Sequence, residues 1–155
     1  MGVAEVKKFF HQNNFNKEII FLEESSATVT LAAKALGVDE ERIAKSIAFN
    51  VKDKSILIVA SGIAKIDNKK FKTTFSTKAK MMSYEETLEK TGHPVGGVCP
   101  FGLPKEVEIY IDKSIVHFDT IYPAAGGVNA IVKMTPDELI DITGGKCIDV
   151  CKITI

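Results

Sequence analysis

Val3, Val6, Phe9 and Phe10 recur at helical spacing and stop at the polar run from His11 to Asn14, which predicts an opening amphipathic helix that covers a sheet. Ile19, Ile20, Phe21 and Leu22 then stand in a row between Glu18 and Glu24, and the adjacent Ser25 and Ser26 favour a strand over a short buried helix. Thr28 is placed to cap a helix that runs through Leu36 and is stopped by Gly37. Asp39 offers a cap for a short turn, Glu40 to Lys45. That turn leads into the alternating positions Ile47, Phe49 and Val51, then Asp53-Lys54 and the apolar run Ile56 to Ala60, the pattern of a hairpin.

Asn68 to Phe75 reads equally as a strand or a helix entry. Ser83 and Glu86 form a capping-box signal for a helix to Lys90, closed by Gly92. Strands are expected around Val107 to Ile111, Ile115 to Phe118 and Asn129 to Met134. Thr135, Pro136 and Glu138 order cap, first-turn proline and capping-box acid for a last helix that stops near Gly144, and Cys147 to Ile153 can return as an edge strand. With no fixed-period repeat, low-complexity tract or linker, the expectation over residues 1–155 is one α+β domain, a mixed sheet flanked by helices.

Composition agrees with a single core: 155 residues at 45% apolar content suffice for one and are few for two. Lys plus Arg and Asp plus Glu number 20 each, so attraction to a polyanion must come from local arrangement of charge, and general DNA or RNA binding is not expected. No apolar run is long enough for a membrane span and no signal pattern opens the chain, so a cytoplasmic protein with no membrane partner is expected. Cys99, Cys147 and Cys151 form no CxxC pair, which argues against a disulfide framework and a structural zinc site. His11 and His117 fit no metal-ligand spacing, so no metal is expected.

Candidate chemistry concentrates in Gly92-His93-Pro94-Val95-Gly96-Gly97-Val98-Cys99-Pro100-Phe101-Gly102, with four glycines and two prolines in eleven residues. Gly96 and Gly97 permit close approach of a ligand to backbone amides, as an oxyanion site requires; the plainer alternative is a rigid helix-to-strand connection. The segment lacks the Gly-Lys-Ser/Thr ending of a nucleotide P-loop. Gly126-Gly127 is a second glycine turn, a hairpin connection or the opposite lip of one pocket. Lys45, at the start of an apolar strand, is either a solvated surface group or a point charge for a phosphate or ribose. Cys99 with His93 is the conventional nucleophile pair, weighed against a small buried cysteine beside a loop histidine. Lys69, Lys70 and Lys72, with Lys65, Lys78 and Lys80 nearby, form the only local basic enrichment, a solvated face or an RNA-backbone contact.

The order of these features, with Lys45 ending Asp-Glu-Glu-Arg-Ile-Ala-Lys, a hairpin, Gly96-Gly97-Val98-Cys99-Pro100, then Tyr122 and Gly126-Gly127, resembles the YbaK and prolyl-tRNA synthetase editing-domain family over nearly the whole chain. Its most specific pieces are the strand-entry lysine, on Lys45, and the family's Gly-x-x-x-Pro loop, on Gly96 to Pro100. The resemblance implies a mostly antiparallel, partly barrel-like sheet and a hydrolase that removes wrong amino acids such as alanine or cysteine from the 3′-CCA end of aminoacyl-tRNA, with no metal or organic cofactor and with a synthetase as a further candidate partner. It implies that Lys45 grips the terminal adenosine or its phosphate while Gly96 and Gly97 fix the ester and a water, with His93, Val98, Cys99, Pro100, Gly126 and Gly127 around the substrate. An activated ester needs positioning and oxyanion stabilisation more than a strong nucleophile, which fits the lack of a triad. Here Tyr122 is followed by Pro-Ala-Ala-Gly-Gly where several relatives carry Ser-Gly-Gly and a nearby Asp. Two other readings compete with editing: a non-catalytic tRNA- or synthetase-binding module, and a cysteine hydrolase built on Cys99 and His93.

Overall fold

In the computed structural model, which describes residues 2–153, the predicted stripe of Val6 and Phe10 is buried on α1 (Val3–Gln12), and β1 (Ile19–Phe21) follows. The Thr28 hydroxyl accepts the Leu31 amide and opens α2 (Val29–Leu36), which Gly37 ends in the left-handed conformation. The turn expected over Glu40 to Lys45 is shorter: a 3₁₀ turn, Glu40–Arg42, without a side-chain cap from Asp39, passes at once into β2 (Ile43–Val51). Lys45 therefore lies within the strand. β3 (Lys54–Ser61) completes the hairpin, and β4 (Ala64–Ile66) follows. The Asp67 carboxylate accepts the Lys69 and Lys70 amides, which decides Asn68 to Phe75 as a helix, α3 (Asn68–Phe75).

α4 (Tyr84–Thr91) carries the predicted capping box at Ser83 and Glu86 and ends at Gly92. After β5 (Val107–Asp112) the expected strand near Ile115 is absent. Asp112 accepts the Ser114 amide and bends the chain into a 3₁₀ turn, Lys113–Ile115. β6 (Tyr122–Pro123) and β7 (Ala130–Val132) precede α5 (Pro136–Thr143), whose capping box and terminal Gly144 are as predicted. The single strand expected over Cys147 to Ile153 is two, β8 (Lys146–Ile148) and β9 (Cys151–Ile153). They separate because the other oxygen of Asp112 accepts the Val150 amide, turning the fully buried Val150 inward between them.

The result is the expected α+β architecture: a mixed five-stranded sheet in the order β6-β2-β3-β5-β8, with the antiparallel pairs β1-β7 and β4-β9 beside it. β2 and β3 are antiparallel, while β6, β5 and β8 join in parallel. β3 reads as an unbroken apolar run because both of its faces are covered: Val59 enters the core under α1, and Ile56, Ile58 and Ala60 enter the core under α3. β2 is uneven. Phe49 and Val51 fill the α3 side, whereas Ala44, Ser46 and Ala48 leave the other face with small side chains and room for a ligand.

Candidate active site

The outer edge of β2 is paired at both ends and open in the middle. Ile43 and Ala44 pair with Tyr122 and Pro123, while at the far end the Met82 amide donates to the Ala48 carbonyl at 3.0 Å and the Asn50 amide donates to the Lys80 carbonyl at 2.9 Å. Between them, Lys45, Ser46 and Ile47 border a cleft of about 490 Å³. Backbone groups alternate sides along a ladder, so Ser46, which shares the parity of Ala48 and Asn50, turns its N–H and C=O toward this gap. Its hydroxyl oxygen is buried and without a hydrogen-bond partner.

Two helix starts and one loop close the cleft. Ala27, Thr28 and Val29 bring the first turn of α2; Met81, Met82, Ser83 and Tyr84 bring the first turn of α4; Val95, Gly96 and Val98 come from the glycine loop. The α4 turn is fixed to β2 because Asn50 Nδ2 donates to Glu86 Oε2 at 2.9 Å, and that bond is the main cause of a lowered Glu86 pKa. Amides in a helix's first turn lack intrahelical acceptors and carry the positive end of its dipole, so the two helix starts bring hydrogen-bond donors to the cleft beside the half-buried Lys45.

Lys45 lines the cleft and its ammonium donates to the carbonyls of Gly62, at 3.4 Å, and Ala64. Desolvation by burial lowers its pKa, with a further contribution from nearby Lys65, while Cys151 acts in the opposite direction. The group is thus a partly dehydrated cation seated on backbone oxygens.

The glycine loop divides into two functions. Gly96 has φ 96 and lines the cleft, its Cα face turned to Ala27 and Val128. Gly97 does not line it: a Cβ there would stand 2.5 Å from the Gly127 nitrogen. The Gly97 amide donates to the Pro94 carbonyl at 2.9 Å, and its carbonyl accepts the Gly126 amide at 3.0 Å. Gly126 in turn sits where a Cβ would stand 2.5 Å from the Gly2 carbonyl carbon. The two glycine segments are not opposite lips of a pocket; they lie backbone to backbone, with the start of α1 as a third layer. Among the sequence-selected residues Lys45, Gly96 and Val98 meet at the cleft, whereas Gly97, Pro100, Gly126 and Gly127 stand behind it.

His93 and Cys99 also stand behind it, both fully buried. The fold does bring them together, with Cys99 Sγ 3.5 Å from His93 Nε2. That nitrogen lies 2.7 Å from the Phe101 carbonyl oxygen, which can only accept, so Nε2 carries the proton and is no base for the thiol. Burial pushes the Cys99 thiol up to about 12 and lowers the His93 pKa. The pair is a core contact with no route to a thiolate. Cys151, also buried, is likewise raised to about 12, and Cys147 is exposed. Titration of the native protein with a thiol reagent is expected to give one fast equivalent, from Cys147, and all three only after unfolding.

The sequence reading missed Ser46, the start of α2 and the α4 entry at Met81 to Tyr84. Each is ordinary in the sequence, and each acquires a role from the gap along β2, which depends on the short strand β6 and on the bridge between Phe49 and Met81. A signal was present in the row Ala44, Ser46, Ala48, small residues on alternate positions opposite large ones.

The family model described as aminoacyl-tRNA editing domain matches residues 23–142. The chain is 49% identical over 154 residues to the uncharacterised protein YwhH of Bacillus subtilis, covering 98% of each. It is 25% identical over 116 residues to EbsC of Enterococcus faecalis, a candidate Cys-tRNA(Pro)/Cys-tRNA(Cys) deacylase, covering 74% of this chain and 71% of that one. Among solved structures, a candidate trans-editing enzyme for prolyl tRNA synthetase superposes with a TM-score of 0.89 at 26% identity, covering 97% of this chain and 96% of the other.

Proposed function

The chain belongs to the aminoacyl-tRNA editing-domain family, and on that premise we propose that it is a hydrolase that deacylates mischarged aminoacyl-tRNA in the cleft beside Lys45. The observation that carries this reading is the meeting of Lys45, Gly96, Val98 and the open stretch of β2 around one cavity. Lys45 holds the ribose or phosphate of the 3′-terminal adenosine. The outward Ser46 carbonyl receives the α-ammonium group of the amino acid. A water attacks the ester carbon, the bond from that carbon to the ribose oxygen breaks, and the water proton ends on that oxygen, leaving free amino acid and uncharged tRNA.

The charge that develops on the carbonyl oxygen is met by amide N–H groups. Gly96 and Val98 are the loop donors of choice, since the Gly97 amide is committed to Pro94, and the first-turn amides of α2 add the positive end of its dipole. Removal of one such donor in an oxyanion site typically costs about 10²- to 10³-fold in rate. Ala27, Ala32, Met82 and Val95 make much of the remaining wall apolar, Ser26, Thr28, Ser83, Tyr84 and Thr87 add hydroxyls, and no acidic side chain among the described residues lines the cleft, so a small side chain without a positive charge fits best.

The test is release of amino acid from a panel of mischarged tRNAs, with alanine, cysteine and serine on tRNA-Pro among them. Cysteine is included because of EbsC. Release from at least one member is expected, faster than the uncatalysed ester. Salt-sensitive tRNA binding without release from any member would replace the hydrolase by a non-catalytic binding module.

A further inference from the structure

β4 and β9 form a two-stranded antiparallel ladder in which Lys65 stands directly opposite Lys152. Directly opposed side chains on such a ladder have Cβ atoms about 4.5–5.5 Å apart, and like charges there are destabilising. The inner face is occupied by Ala64, Ile66 and Cys151, which belong to or pack on the core under α3, so both lysines are held on the outer face and both are exposed. Neither has a carboxylate within 4 Å among the described residues, and Asp149, just before β9, is held by Lys70 at 3.0 Å and Lys113 at 3.2 Å. A repulsive pair is thus built into a protein whose total charges balance.

The pair adjoins the cleft. Lys45 donates to the carbonyl of Ala64, the residue next to Lys65. The geometry points to a phosphate-binding site at Lys65 and Lys152 that receives the RNA backbone just upstream of the 3′ end seated at Lys45. Two ammonium groups on one outward face suit a phosphodiester oxygen pair, and the bound phosphate relieves the repulsion that the free protein carries. The inference rests on the proposed function for the RNA strand it names. Of the lysines singled out in the sequence, it selects Lys65 and removes Lys70, whose ammonium is spent on Asp149 and the Cys151 carbonyl.

The experiment compares wild type, K65Q/K152Q, K65R/K152R and the control K105Q, which removes one positive charge elsewhere on the surface, measuring binding of uncharged tRNA across a salt series together with thermal unfolding. Lys105 is exposed and lies outside the cleft and the ladder. The double glutamine variant is expected to melt no lower than wild type and to bind tRNA roughly tenfold more weakly at low salt. Its slope of log affinity against log salt should be shallower by about 1.4, from roughly 0.7 per lost contact to a single strand. K65R/K152R should restore affinity and slope, and K105Q should match wild type. An unchanged slope in the double variant, or an equal change in K105Q, overturns the site. Because the readout is binding, the two readings fail separately: hydrolysis by wild type with an unchanged slope removes only the lysine site, whereas a lost slope with no hydrolysis of any charged tRNA removes only the hydrolase.

Discussion

Gly97→Ala is expected to destabilise the protein by on the order of 3 kcal/mol, at the upper end of what overpacking costs, a fall in melting temperature of roughly 6–12 °C for a domain of this size. The new Cβ would stand 2.5 Å from the Gly127 nitrogen and 2.8 Å from the Gly126 carbonyl carbon, and these are backbone atoms that no rotamer change can move. Relief would require separating the two glycine segments and breaking the 3.0 Å bond from the Gly126 amide to the Gly97 carbonyl. Gly144→Ala is the comparison that isolates the cause. Gly144 has φ 66 and nothing within 4 Å of its would-be Cβ, so its substitution carries only the left-handed backbone penalty, about 1–2 kcal/mol. Thermal unfolding of the two variants distinguishes them. Equal losses would mean that Gly97 is not held by its packing.

Lys45→Met is expected to lower deacylation by about 10²-fold, the scale of removing one electrostatic stabiliser from a preorganised site, while the fold persists. Burial lowers the Lys45 pKa, so keeping this ammonium charged opposes folding below its folded-state value, and that penalty is released as pH rises through that value toward the ordinary lysine range. Wild type should therefore gain stability relative to Lys45→Met on going from neutral to alkaline pH. Activity should move the other way: if the charged form grips the nucleotide, the rate falls on the alkaline side at a pH below that of an ordinary lysine. Melting curves and pH–rate profiles of the two proteins read both effects. A variant that retains full activity would remove Lys45 from the site.

What the sequence made legible follows from how local each signal is. The capping boxes at Ser83 and Thr135 and the stops at Gly37, Gly92 and Gly144 are settled within a few residues, and all appear as predicted. The strand expected near Ile115 failed because Asp112, a residue outside the apolar pattern, captures both the Ser114 and Val150 amides and bends the chain in two places at once. β6 is two residues long and has no pattern to read; it exists because Ile43 and Ala44 supply its partners from nearly 80 positions away. The same distinction governs the site. Lys45 and Gly96 were visible by type and place, whereas the difference between Gly96 and Gly97 is set by which of two neighbouring glycines another backbone covers. The proximity of His93 to Cys99 was illegible, and so was its chemical emptiness, which depends on the Phe101 carbonyl.

The proposed seat of the aminoacyl ester, in the gap along β2 beside Lys45, is tested by mapping through backbone amide chemical shifts the binding of an adenosine that carries alanine through a non-hydrolysable 3′-amide. Saturable shifts centred on Ser46, Gly96, Val98 and the first turn of α2, weakened in Lys45→Met, are the predicted result. Shifts centred elsewhere, or binding indifferent to Lys45, would contradict it.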